Sequence, residues 1–296
     1  MSTNLTPPSW FRRALDHRPR SFEVDVEGCR IHCRAWGERG RPLLVLVHGG
    51  GANSAWWDHI APFFAATHHV IAPDLSGHGD SATRARYGLG IWSREVLAVA
   101  TAADPSVRPV IVGHSMGGWV TSTAAIREGA EIDGIVVIDS PLRDRAPEED
   151  HLRRARGRQE GYRTREAIVS RFRPVPSQDV ILPYIADHIA RESVRRKGLR
   201  WWWKFDPAIF SGSWLSEGPT EADTLENTFA QMPCRIAHLR CEHGAIDDDM
   251  AERIRQILQL RGPFVDLPEA GHHPMLDQPL SLVSTLRTLL EFWSIT

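Results

Sequence analysis

Five residues, Gly113-His114-Ser115-Met116-Gly117, follow directly on the apolar run Pro109-Val110-Ile111-Val112 and open a run rich in small residues, Gly118-Trp119-Val120-Thr121-Ser122-Thr123-Ala124-Ala125-Ile126. The first run reads as a buried strand, and the second as a helix able to pack closely under a sheet. Gly-x-Ser-x-Gly between them is then a very tight strand-to-helix turn, because a Cβ at either flanking glycine would clash as the chain doubles back. Such an elbow holds the serine oxygen clear of the backbone. The first turn of the following helix leaves amides unpaired and carries the positive end of the helix dipole, so negative charge developing beside Ser115 is stabilised there. Ser115 is read as a nucleophile in preference to a structural turn serine.

Apolar runs recur on both sides of the elbow. Strands are expected near 21–27, 29–36, 43–47, 70–74, 109–113, 134–139, 235–241 and 262–267, the first two as an antiparallel hairpin at a sheet edge. Helices are expected near 53–66, 89–103, 117–129, 247–260 and 279–293. Strands alternating with helices imply an α/β fold whose sheet of eight strands is mostly parallel and covered on both faces. Ligands bind such sheets beyond the carboxyl ends of the strands, where the His48, Ser115, Asp139 and His272 segments all emerge.

Two further segments and a late dipeptide complete a pattern. Leu43-Leu44-Val45-Leu46-Val47 leads into His48-Gly49-Gly50-Gly51, Val70-Ile71-Ala72-Pro73-Asp74 leads into Leu75-Ser76-Gly77-His78-Gly79-Asp80-Ser81, and Gly271-His272 stands near the end. With the elbow, and in this order, these motifs resemble the α/β-hydrolase fold superfamily from about residue 21 to the C-terminus, the middle insert excepted. The resemblance implies a core domain of residues 1–140 and 233–296 and a helical cap, or lid, inserted at 141–232. Six aromatic residues, Trp201, Trp202, Trp203, Phe205, Phe210 and Trp214, lie in that insert and cannot all face one way. Trp201, Trp202, Trp203, Phe205 and Trp214 are candidates to line an apolar acyl or aromatic pocket, the competing reading being that they glue the cap to the core. Between 141 and 205 the insert carries 16 Lys/Arg against 9 Asp/Glu, which reads as solvated helix faces or as attraction for a carboxylate-bearing ester.

The base that activates Ser115 must be a histidine, since its pKa near 6.5 lets it take and return a proton at neutral pH. His272 resembles the family's catalytic histidine, with His273 as the alternative; His48, His78 and His114 occupy motif positions with structural roles. The acid departs from the common pattern. The family usually places an Asp just past the seventh strand in a Gly-x-x-Asp turn, yet the corresponding stretch here is Cys241-Glu242-His243-Gly244, with glycine in the acid's slot 28 residues before His272. The superfamily's other acid site is the end of the sixth strand, which here reads Ile138-Asp139-Ser140. Asp139 is the expected acid, with Asp247, Glu242 and Asp248 as alternatives. The resemblance assigns the oxyanion hole to the backbone N–H groups of Met116 and Gly50, with Gly51 as an alternative second donor.

These residues imply a serine hydrolase that cleaves carboxylic esters through an acyl-enzyme, lactones included as cyclic esters. Carbon–carbon bond hydrolysis and amide hydrolysis on the same triad stay open, as does a non-enzymatic small-ligand receptor of the same fold. A serine at the elbow argues against epoxide hydrolase chemistry, which uses an aspartate nucleophile. At 296 residues with 42% hydrophobic content the chain can bury one large core, and a net charge of −2 gives no reason to expect nucleic acid as a partner. Without a signal-like apolar core at the start or a run long enough to span a bilayer, a soluble cytoplasmic protein with no membrane partner is expected. Cys29, Cys33, Cys234 and Cys241 read as buried free thiols. His68-His69 and His272-His273 are poor metal candidates, since neighbours on a strand face opposite ways. No phosphate-binding glycine loop occurs, and neither a cofactor nor a metal is expected.

Overall fold

The computed structural model describes residues 6–141, 161–210, 232–259 and 261–295. Ten strands are found among them: β1 (Arg20–Val26), β2 (Cys29–Trp36), β3 (Leu43–Val47), β4 (His69–Pro73), β5 (Val110–His114), β6 (Gly134–Ile138), β7 (Val194–Lys197), β8 (Arg200–Trp203), β9 (Arg235–His243) and β10 (Phe264–Gly271). Eight of these form one sheet in the order β1-β2-β4-β3-β5-β6-β9-β10. Only the pairings of β2 with β1 and with β4 are antiparallel; the rest are parallel. This is the α/β-hydrolase fold. The β1–β2 hairpin turns on Glu27 and Gly28, both at positive φ (53° and 75°), as a two-residue turn between twisted strands requires.

The central strands are uninterrupted apolar runs because both faces are covered. Leu43, Val45 and Val47 with Ile111, Ile135, Val137 and Ile236 form one core against α2 (Leu89–Ala103), α3 (Met116–Glu128) and α6 (Asp248–Leu258). Their neighbours along the same strands, Leu44, Leu46, Val110, Val112, Val136, Ile138, Ala237 and Leu239, form a second core on the other face. There they meet Phe11 of α1 (Ser9–Asp16) and Leu282, Leu286 and Trp293 of α7 (Pro279–Ile295). The period-two alternation of strand side chains thus feeds two cores rather than one core and a wet face.

Two expectations need correction. The helix anticipated near 53–66 is a pair of 3-10 turns, Ser54–Trp57 and Ala61–Phe63. Pro62 cannot donate to a continuing ladder, and the Asn53 side chain accepts the Ala55 amide at 3.0 Å, an arrangement that favours a short turn over a long helix. The described part of the insert is not wholly helical either. Between 161 and 210 it contains α4 (Arg165–Val169), α5 (Pro183–Glu192) and an antiparallel hairpin of β7 and β8 that turns at Gly198-Leu199, with Gly198 at φ 62°. Trp201, Trp202 and Trp203 therefore lie on a strand, in keeping with the preference of aromatic residues for extended backbone. Trp214 lies outside the described residues, as do 142–160 and 211–231 of the insert.

The insert buries Ile185, Ile189 and Ile209 in the two cores and also meets the core through polar groups. Arg34 on β2 binds Asp58 through Nη1 at 2.7 Å and Glu192 of α5 through Nη2 at 2.8 Å, while His188 Nε2 reaches Asp58 at 3.0 Å. Lys204 binds Asp80 at 2.6 Å, the Tyr87 hydroxyl donates to Asp206 at 2.8 Å, and the Gly79 amide donates to Lys204 O at 2.7 Å. Among the described residues no helix is long and apolar enough to cross a membrane.

Candidate active site

β5 ends at Ser115, whose backbone sits at φ 54°, ψ −122°. The neighbouring glycines are sterically obligatory. An ideal Cβ on Gly113 would lie 2.2 Å from Gly117 O, and one on Gly117 would lie 2.5 Å from His48 O. The turn is pinned to β6 from both sides: the Ser115 amide donates to Ile138 O at 2.9 Å, and the Ser140 hydroxyl donates to Ser115 O at 2.7 Å.

The loop after β10 brings the buried His272 ring to the elbow. Its Nε2 stands 3.0 Å from Ser115 Oγ and its Nδ1 2.7 Å from Asp139 Oδ2. An ionised carboxylate only accepts, so Nδ1 carries the proton and Nε2 is left to accept the serine hydroxyl. Asp139 itself follows β6 at φ 46°, fully buried. Its Oδ1 accepts the Cys241 amide at 3.1 Å and its Oδ2 the Ala245 amide at 2.7 Å. Both donors belong to the end of β9 and the turn after it, where Gly244 stands in the family's usual acid slot. An ideal Cβ on Gly244 would lie 2.2 Å from Asp139 Oδ2, so the glycine leaves the space that the β6 carboxylate fills.

The alternative acids have other partners. Asp247 caps α6 by accepting the Met250 amide at 2.8 Å, Glu242 is exposed and accepts the Glu269 amide at 2.8 Å, and Asp248 pairs with Arg240 at 2.6 Å.

Gly50 and Met116 face each other beside Ser115. An ideal Cβ on Gly50 would lie 3.6 Å from Met116 Sδ, and Met116 supplies the first amide of α3, which has no acceptor within its own helix. His48 anchors this loop: the Leu75 amide donates to its Nε2 at 3.1 Å, so Nδ1–H donates to Gly49 O at 2.8 Å. Asp74 ties the loop to the next one, accepting the amides of Ser54 at 2.7 Å and Asp80 at 2.8 Å. Burial works against its charge, but His32 and these amides hold the carboxyl well below the usual range.

The aromatic candidates divide into three. Trp201 pairs with Tyr162 and lies under the Arg165 guanidinium at 5.7 Å, and Trp202 packs over Gly161, so both serve the insert's own interior. Trp203 contacts Phe172 at 6.2 Å, Phe172 contacts Trp56 at 6.0 Å, and Trp56 meets the His273 ring at 5.4 Å, making a wall that reaches the histidine loop. Phe205 packs edge-on against Phe210 at 5.7 Å, and the Phe210 ring edge would lie 3.1 Å from a Cβ on Gly51. Trp56 and Phe172 were not singled out in the sequence, where nothing separates them from other buried aromatics.

The sequence argument against His272 and His273 as neighbouring ligands does not hold, because β10 has ended by Gly271. His114, His272 and His273 present nitrogens within 4.8 Å of one another. Two of these rings are already engaged: His272 binds Asp139 and Ser115, and His114 Nε2 donates to His272 O at 2.7 Å. The other acid-containing groups of this kind are His32 with Asp74 and Asp80, the last of which binds Lys204, and the exposed Glu242, His243 and Glu269.

The alpha/beta hydrolase family profile matches residues 44–285. An esterase of Mycobacterium tuberculosis is 25% identical over 284 residues, 90% of this chain and 88% of that protein. Epoxide hydrolase 4 of Mus musculus is 28% identical over 155 residues, 47% of this chain and 43% of that protein, so the chain spans less than half the length of that relative. Among solved structures, a thioesterase domain from the curacin biosynthetic pathway superposes with a TM-score of 0.76 at 18% identity, over 91% of this chain and 99% of that domain.

Two expectations follow from the geometry. Burial drives His59, His78 and His114 down to about 3 and His238 to about 4. In the unfolded chain they protonate near 6.5, so the unfolded state binds more protons between that value and their folded pKa. Unfolding free energy should therefore fall steadily as pH drops from about 6.5 toward 4, read as a declining urea midpoint; a midpoint flat across that range contradicts the assignment. Secondly, Gly244→Ala should cost about 1–3 kcal/mol through overpacking. In an Asp139→Ala background the same change should cost less than half as much, and equal costs in the two backgrounds would separate Gly244 from the carboxylate.

Proposed function

The chain belongs to the alpha/beta hydrolase family, and we propose that it is a serine hydrolase acting on carboxylic esters, lactones included as cyclic esters. The observation that carries this reading is the pair of hydrogen bonds from Asp139 through His272 to Ser115, at 2.7 and 3.0 Å. His272 Nε2 takes the hydroxyl proton as Ser115 Oγ attacks the carbonyl carbon, and Asp139 holds the ring's tautomer and stabilises the imidazolium that forms. The Met116 and Gly50 amides receive the developing oxyanion. The protonated His272 then delivers its proton to the departing alcohol, and water activated by the same ring releases the acid.

The insert is assigned as the cap of this site, over 141–232, with residues 1–140 and 233–296 as the core. The aromatic wall of Trp56, Phe172 and Trp203, with Phe205 and Phe210 beside the glycine loop, supports an apolar or aromatic acyl group over a charged one. Resemblance to an esterase over 90% of the chain points the same way. A serine at the elbow, in place of a carboxylate, favours an acyl-enzyme over the alkyl-enzyme route of epoxide opening.

Purified protein should give a burst of p-nitrophenol from short- and medium-chain p-nitrophenyl esters, abolished by Ser115→Ala. Asp139→Asn should reduce kcat by about 10²–10⁴-fold, since it reverses the tautomer His272 needs. Asp247→Asn should stay within about threefold of wild type, the ordinary effect of changing an exposed helix cap. Normal turnover in Asp139→Asn with a collapse in Asp247→Asn would overturn the assignment of the acid, and hydrolysis unaffected by Ser115→Ala would overturn the mechanism.

A further inference from the structure

One side chain of the insert reaches the loop that carries His272. Gln178, on the stretch between α4 and α5, accepts the His273 amide on Oε1 at 2.9 Å. Its Nε2 donates to Asp277 Oδ2 at 3.0 Å and to Val180 O at 3.0 Å. The same carboxylate oxygen of Asp277 accepts the Gly271 amide at 2.6 Å. One primary amide and one carboxylate thus hold the residues on both sides of His272.

The contact is close as well as polar. An ideal Cβ on Gly271 would lie 3.0 Å from Asp277 Oδ2 and 3.0 Å from Gln178 Cβ, so the side chain lies flat against the backbone just before His272. A main-chain bond from the Leu182 amide to Leu276 O, at 2.9 Å, runs alongside. Burial holds the Asp277 carboxyl above its ordinary range despite the Gly271 amide. A neutral NH₂ group suits such a partner. A second carboxylate at 178 would repel it, and an apolar residue would take one donor from the Asp277 carboxylate and leave the His273 amide without its acceptor.

We propose that Gln178 is a positioning residue that keeps His272 in hydrogen-bond register with Ser115 and couples that register to the docked insert. The inference rests on the serine-hydrolase reading above. An imidazole displaced by a fraction of an ångström loses its alignment with the hydroxyl, and rate is steeply sensitive to such misplacement.

The test uses a fluorophosphonate probe followed by intact-mass spectrometry, which reports the activated serine without assuming a substrate. It is run beside p-nitrophenyl butyrate turnover and thermal melting. Gln178→Ala and Gln178→Glu should each slow Ser115 labelling and kcat by about tenfold or more, with KM changed less than about threefold. The Gln178→Glu deficit should shrink as the pH is lowered, since burial and a second facing carboxylate both favour protonation of one of the pair. The double variant Gln178→Ala/Asp277→Ala should lose less than the product of the two single-variant deficits, since either change alone already breaks the bond between the two side chains. Gln178→Glu, close to isosteric, carries the test if Gln178→Ala melts early.

Equal labelling in wild type, Gln178→Ala and Gln178→Glu would overturn the positioning role alone. Deficits that multiply independently in Gln178→Ala/Asp277→Ala would overturn the Gln178–Asp277 clamp as its cause. A wild-type Ser115 that takes no label would overturn the serine-hydrolase reading and the positioning role with it.

Discussion

The Asp139 carboxylate has no access to solvent, and a buried charge is tolerable only where hydrogen bonds replace the water it has lost. The amides of Cys241 and Ala245 and the ring N–H of His272 make that replacement. Two come from the end of β9 and the turn after it, the third from the loop after β10, and the carboxylate from the strand next to the elbow. Removing the charge would therefore loosen the β9 turn as well as the histidine. The position of Ser115 is set by the same strand end, since its amide bonds to Ile138 O, one residue before Asp139.

Ser115 and Asp139 share an uncommon feature: neither is glycine, yet both stand at positive φ, 54° and 46°. Backbone of this kind costs of order 1–3 kcal/mol per residue and persists only where the surroundings over-determine it. Here two adjacent parallel strands, β5 and β6, end in register, with Gly113 beside Val137 and His114 beside Ile138. Each strand must turn its last side chain toward the same point above the sheet edge. Two covered cores beneath hold the strands rigid enough to keep both turns, so the strain falls where the side chains must converge.

The sheet was legible in the sequence because strands buried on both faces must be continuously apolar; β3 at 43–47 and α2 at 89–103 coincide with their expected limits. The elbow was legible because its glycines answer to clashes within a few residues of themselves. What escaped depends on distant partners. The stretch after Asn53 is apolar enough for a helix, but its shape follows from Pro62 and from packing between α1 and the sheet. The tryptophan run was given no strand inside an insert read as a helical cap, and forms one because Val194–Lys197 lies beside it. Gly244 could be read only as a missing acid; that it marks the space occupied by the Asp139 carboxylate is a contact between two strand ends that no local pattern encodes.

The insert is joined to the core both by apolar packing, as at Ile185, Ile189 and Ile209, and by charged and amide groups, and the polar contacts bear on how the site is held. Pairs such as Arg34 with Glu192 and Lys204 with Asp80 recover much of their desolvation cost only in one geometry, so they orient the insert more than they stabilise it. An apolar seam would tolerate sliding. Charged contacts of Lys204 near Gly79 and Asp80 and of His188 and Glu192 near Asp58 fix the insert at two anchor points. Gln178 lies ahead of both, on the stretch leading into α5, and makes a third contact, with the histidine loop. A displacement of the insert would be felt at His273 and Asp277 before it reached the strands, because the loop is bonded to the insert while the sheet is locked by its two cores.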